Sequence, residues 1–205
     1  MKLHCFPPSP NTWKVRAFAH QIGVPLELEL VDLTKGASRT PGFLALNPTG
    51  RTPVLVDGDF TLWESSAIMQ YLGSVVSTPL WPDDRKTRAD IMRWQSWHLA
   101  HWTRGVQPMI FENMVKPLLK IGEPDRAALA QAAELFHQEA SMLDAHLARH
   151  PYLIDDKPTL ADFTVVAPLF YAEPAKMPLE RYGHVKRWFG SLAALPAWQQ
   201  TAPQR

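Results

Sequence analysis

The residues able to do chemistry fall in three short stretches of the 205-residue chain. The first is the turn Phe6-Pro7-Pro8-Ser9-Pro10-Asn11, where a hydroxyl and an amide stand two residues apart between a strand-like and a helix-like segment. Serine and asparagine among prolines are also what a tight strand-to-helix connection uses for its own turn. The second is Glu64-Ser65-Ser66, which opens a helix, so that free N–H groups and the positive end of the macrodipole suit an anion there. Ser65 could equally serve as a plain N-cap. The third is RWQSWHLAHWTRGVQPMIFENMV, which carries Trp94, Trp97, His98, His101, Trp102 and Phe111. His98 and Trp102 are four apart and share a helical face, on which Gly105 follows with no side chain to extend a pocket wall. Most of these aromatics read as core. Cys5 is the only cysteine, which rules out an intramolecular disulfide and a cysteine-based metal cluster. Within a predicted strand it reads as a small buried hydrophobe rather than a nucleophile.

These stretches need elements to hold them. Lys2 to Phe6 reads as a strand, and Val15, Phe18, Ala19 and Ile22 form a helical stripe ending at Gly23. Leu26, Leu28 and Leu30 alternate with Glu27 and Glu29, the pattern of a strand with one buried face. After LNPTGRTP come Val54 to Val56, the turn pair Asp57-Gly58, and Phe60 to Trp63, which predict a type I′ hairpin. The helix opened by Glu64 and Ser65 continues through Ala67, Ile68, Tyr71 and Leu72, with Gly73 as its C-terminal stop. The order is β-α-β followed by β-β-α. From Ser74 the composition turns to Ser, Thr, Pro and Asp, and beyond it strand signals give way to helical stripes. One helix runs from about Pro124 to Arg149. Another covers Leu160 to Ala172 behind a reciprocal cap between Thr159 and Asp162. The expected division is an α/β domain over 1–74, a linker over 75–84 and an all-α domain over 85–205.

Lys plus Arg total 21 against 20 Asp plus Glu, so no overall field steers the chain toward nucleic acid or an anionic membrane. No apolar stretch reaches the roughly 20 residues that a membrane span needs, and the N-terminus carries no signal-peptide pattern. A cytoplasmic, unprocessed protein with a small polar partner is expected. There is no internal repeat, no phosphate-cradling glycine loop and no dense His/Cys/carboxylate cluster with metal spacing, so no metal is expected.

The run NPTGRTPVLVDGDFTLWESSAIMQYL resembles the glutathione-site block of the soluble glutathione transferases: the NPxG turn, Pro53, the Asp-Gly hairpin and the Glu64-Ser65 pair keep the family's order and spacing. The resemblance covers essentially the whole chain and implies a thioredoxin-like N-terminal domain (βαβ-ββα) followed by an all-α C-terminal domain. It implies a cis bond before Pro53 that leaves the backbone of Thr52 to the cysteinyl part of glutathione, as a short added strand. Ser65 would hold the γ-glutamyl carboxylate and Glu64 the ammonium beside it. A basic residue is implied for the glycyl carboxylate, with Arg39 the choice and Lys35 and Arg51 the substitutes.

The family activates the thiol from the turn after the first strand with tyrosine, serine or cysteine. No tyrosine precedes Tyr71 and Cys5 lies too early, so Ser9 matches a serine-type site, six positions before Val15. Asn11 matches a bacterial subgroup in which this asparagine also contacts sulfur. A second-substrate pocket would use His98, Trp102 and Phe111. The implied activity is conjugation of the glutathione thiolate to an electrophile in a detoxifying homodimer. The alternatives are glutathione-dependent disulfide reduction and a non-catalytic binding protein of the same fold.

Overall fold

Short alternating runs near the N-terminus build one four-stranded sheet. In the computed structural model, which describes residues 1–203, β1 (Lys2–Cys5), β2 (Glu27–Leu30), β3 (Val54–Asp57) and β4 (Phe60–Trp63) lie in the order β2-β1-β3-β4. β1 pairs with β2 in parallel and with β3 antiparallel, and β3 pairs antiparallel with β4. α1 (Pro10–Gln21) and α3 (Ser65–Val75) pack on each other, and their side of the sheet buries Leu3, Cys5 and Leu55 with Val15, Phe18, Ile68, Met69 and Leu72. The other face is closed by α2 (Pro41–Leu46), which sets Phe43 against Val31 and Val54. This is the thioredoxin-like arrangement, with α2 as an element that the sequence pattern did not reveal.

Four local expectations need correction. β2 is an edge strand exposed along its length, with Leu30 68% exposed, so its alternation marks no buried face. The hairpin loop is Gly58-Asp59, because Asp57 pairs with Phe60. Gly58 has φ 61°, but Asp59 is not among the residues with positive φ, and a type I′ turn needs both. α3 does not stop at Gly73. That glycine lies inside the helix, where a Cβ would meet Trp81 Cβ at 2.7 Å. The segment expected as a linker accordingly packs with the first domain: Leu80 and Trp81 are buried, and Trp81 Nε1 donates to Ser74 Oγ at 3.0 Å.

The chain forms two units, Met1–Pro82 together with the segment from Leu195 onward, and Asp83–Ala194. The second is helical: α4 (Arg85–Trp97), α5 (Thr103–Ile110), α6 (Lys116–Leu119), α7 (Arg126–Leu147), α8 (Leu160–Val166) and α9 (Gly183–Ala193). Two π-helical segments, His98–Trp102 and Phe111–Val115, join α4, α5 and α6 into one run. α8 is shorter than its apolar stripe suggests, because the backbone passes into a 3₁₀ turn over Ala167–Tyr171 that contains Pro168. The helical domain expected over 85–205 ends at Ala194. α10 (Pro196–Gln200) belongs with the first unit, where Trp198 meets Trp13 edge-on at 5.6 Å between ring centroids. Gln204 and Arg205 lie outside the described residues.

Candidate functional site

Strand register decides which loops meet. His4 pairs with Val54 and Val54 with Trp63, so the C-terminal end of β1, the N-terminal end of β3 and the C-terminal end of β4 lie side by side. The three connections attached there are the turn holding Ser9, the Thr52-Pro53 dipeptide and the Glu64-Ser65 pair. Residues far apart in sequence are therefore brought to one end of the sheet by antiparallel pairing alone.

Ser9 is the N-cap residue of α1, with φ −74° and ψ 130°, yet its side chain makes no capping bond. Pro10 follows at the first helical position and has no N–H to offer. The Ser9 carbonyl accepts from the N–H of Trp13 at 2.9 Å, which leaves the half-buried hydroxyl outside the helix's own bonding. Asn11, exposed on the first turn, accepts a long hydrogen bond from the Ser65 hydroxyl at 3.4 Å. That bond ties the start of α1 to the start of α3 across 54 residues of sequence.

Glu64 precedes α3 with φ 73° and ψ 112°, a left-handed conformation unusual for a residue with a Cβ and of the kind that costs about 1–3 kcal/mol. Its carbonyl accepts from Ile68 N–H at 2.9 Å, while its exposed carboxylate caps nothing. Ser65 is buried as the first residue of α3, where no acidic side chain occupies the first turn. The helix therefore starts with unanswered positive partial charge beside a free carboxylate, a pairing that fits both ends of a zwitterion.

The Thr52-Pro53 bond is cis, and Thr52 stands two residues before β3, outside any strand pair. The loop leading to it is held by Asn47, which is buried. Its Nδ2 donates to Arg51 O at 2.8 Å, and its Oδ1 accepts from Thr49 N–H at 3.0 Å and the Thr49 hydroxyl at 2.9 Å. Arg39 leans on the same loop: Nη1 donates to Thr49 O at 3.3 Å, and a Cβ at Gly50 would lie 2.6 Å from it. The residue is otherwise exposed. Lys35 is engaged by Asp32 at 3.4 Å, which leaves it the poorer candidate for an external anion.

Two other expectations fail on burial. Trp102 is fully buried, donating from Nε1 to Val165 O at 3.2 Å and stacked on Trp97, and His98 is 5% exposed. Both are core residues of the second unit, because their helical face is turned toward α7 and α8 rather than outward. At Gly105 the backbone of α7 comes so close that a Cβ would lie 2.8 Å from Phe136. Phe111 alone of the three is exposed, with Lys116 Nζ 5.8 Å from its ring centre. Cys5 is fully buried, and burial pushes its thiol above the usual range, which reduces thiolate and hence nucleophilicity.

Sequence reasoning missed Lys14, which is fully buried in α1. A signal existed: Lys14 lies four residues before Phe18 and therefore on its buried face.

Family models described as glutathione S-transferase, N-terminal domain, and glutathione S-transferase, C-terminal domain, match residues 8–75 and 106–196. Glutathione S-transferase 3 of Zea mays is 38% identical over 98% of this chain and 92% of its own length. Among solved structures, glutathione transferase F7 from Populus trichocarpa superposes with a TM-score of 0.90 at 29% identity, covering 98% of this chain and 96% of that one. The theta class enzyme from Xanthomonas axonopodis pv. citri, solved with glutathione bound, gives 0.88 at 29% identity, covering 100% and 97%.

Proposed function

Because this chain belongs to the glutathione S-transferase family, we propose that the end of its sheet where three loops meet binds glutathione and that Ser9 activates the sulfur. As a glutathione transferase it joins the glutathione thiolate to an electrophilic small molecule. The observation that carries the site is the register of β1, β3 and β4, which sets Ser9, Thr52 and Glu64-Ser65 on neighbouring strand ends.

In this reading each part of the tripeptide meets a group suited to it. The γ-glutamyl carboxylate lies on the free N–H groups of α3 with the Ser65 hydroxyl as a further donor, and the Glu64 carboxylate receives the ammonium. Thr52 offers backbone N–H and C=O to the cysteinyl unit, and the unused donors of Arg39 receive the glycyl carboxylate. The sulfur then lies at the Ser9 hydroxyl. A free thiol has a pKa of roughly 8.5, and a donor held at the thiolate lowers it. Asn11 supports the start of α3 through Ser65 and stands two residues from Ser9, in place to contact the sulfur. Phe111 remains the one second-substrate residue with surface to offer. The enzyme works in the cytoplasm as a homodimer with no metal.

The test is a conjugation assay on purified protein with a panel of electrophiles. Ser9→Ala is expected to lose about 10–100-fold in kcat/KM, the worth of one hydrogen bond to a charged group, and Asn11→Ala a smaller factor. Turnover unchanged in both variants contradicts the proposal.

A further inference from the structure

Among the described residues, Lys14 is the one lysine that is fully buried, and its ammonium has no hydrogen-bond partner in the chain. Thr12 Oγ1 and Ser66 Oγ are buried and unpartnered as well. All three sit on α1 or the first turn of α3, two helices that pack together. A buried polar atom without a partner is costly, and a cation far more so. Burial pulls the Lys14 pKa from 10.5 down to about 7, opposed by the attraction of Glu64.

Geometry says what Lys14 faces. Lys14 stands one helical turn after Asn11, the residue bonded to Ser65, on a helix that packs against α3. Glu64, the neighbour of Ser65, is the charge that acts on it. Other charged groups on the packed elements are few. α1 itself carries Arg16 and His20 further along the helix, and α3 and α10 carry no charged residue. In β1, Lys2 pairs with Glu27 and Glu29, and His4 meets Phe43. The start of α3 thus has a buried amine behind it that lacks a hydrogen-bonded counter-ion.

We propose that Lys14 is the buried counter-charge for the γ-glutamyl carboxylate, taking a proton from solvent when glutathione is seated at the start of α3. This rests on the reading that α3 holds that carboxylate. An incoming anion stabilises the ammonium against its neutral form, so binding and protonation of Lys14 favour each other. Lys14 touches neither sulfur nor electrophile and is a positioning residue. Affinity for the γ-glutamyl end then weakens as pH rises above 7, by up to about tenfold per pH unit while Lys14 is neutral in the free enzyme and protonated in the complex.

The test uses S-methylglutathione, which has no thiol to titrate. Calorimetry at pH 8 in buffers of different ionisation enthalpy counts the protons taken up on binding. The wild-type enzyme is expected to take up most of one proton per ligand. Lys14→Arg, charged throughout, is expected to bind with pH-independent affinity and no uptake, and Lys14→Met to bind more weakly with no uptake. Wild-type binding without proton uptake overturns the inference and leaves the glutathione site intact. Uptake that persists in Lys14→Arg assigns the proton to another group, such as the ligand amine, and overturns it as well. Failure of the wild-type enzyme to bind S-methylglutathione overturns the glutathione site itself. If neither variant folds, the pH at which the wild type begins to take up the proton decides: uptake that is half-complete near pH 7 is that of Lys14, and uptake that appears only above about pH 8.5 is that of the ligand amine and overturns the inference.

Discussion

At the scale of single residues, a side chain here is informative through the bond it does not make. Ser9 holds an N-cap position without capping, Glu64 takes a left-handed backbone without capping, and Lys14 is buried without a partner. Lys14 carries a prediction about stability. Its folded pKa of about 7 lies below the ordinary 10.5, so between those values the unfolded chain binds more protons than the folded one. Stability therefore rises with pH across that window, and the full burden of a buried charge is present below pH 7. Lys14→Met lacks this burden. In urea unfolding, the variant should gain most over the wild type near pH 6, with the difference shrinking toward pH 10. A difference that does not change with pH would contradict the shift. Ser9, Asn11, Thr52, Glu64 and Ser65 became candidates through the resemblance of their motifs to the family's. Lys14 escaped because a lysine on a helix is read as solvated unless its neighbours on the buried face are weighed.

Among elements, order was more legible than extent. The β-α-β and β-β-α succession follows from periodicity, but α2 was hidden because Pro41–Leu46 is too short to show a period. Gly73 looked like a helix stop because local grammar cannot report that Trp81 packs against it. The link between Thr159 and Asp162 was legible, since capping is local. The Asp162 carboxylate accepts from Thr159 N–H at 2.7 Å, and its partners extend to Leu153 N–H at 3.0 Å and Trp188 Nε1 at 2.8 Å. Those last two bonds join segments that the sequence could not connect. Asp162→Ala strands several buried donors at once and should cost about 3 kcal/mol or more in chemical denaturation, followed by tryptophan fluorescence. A loss below about 1 kcal/mol would mean that these bonds contribute only as an ordinary cap.

On the scale of the whole molecule, composition bounded the answer without supplying it. Near-equal charge disfavoured a nucleic-acid partner, and no helix of the described residues is long and apolar enough to cross a membrane. The division of the chain was only partly legible, because α10 follows α9 with no change in composition and yet packs through Trp198 on Trp13 of the first unit. The proposed chemistry depends on Ser9 acting on a sulfur held at the end of the sheet. The most direct measurement is a pH titration of the thiolate absorbance of glutathione bound to the wild type and to Ser9→Ala. The bound thiol should titrate at least about one unit below its free value of roughly 8.5 in the wild type, and return toward that value in Ser9→Ala. An unshifted thiol in the wild type, or an equal shift in both proteins, would contradict the account.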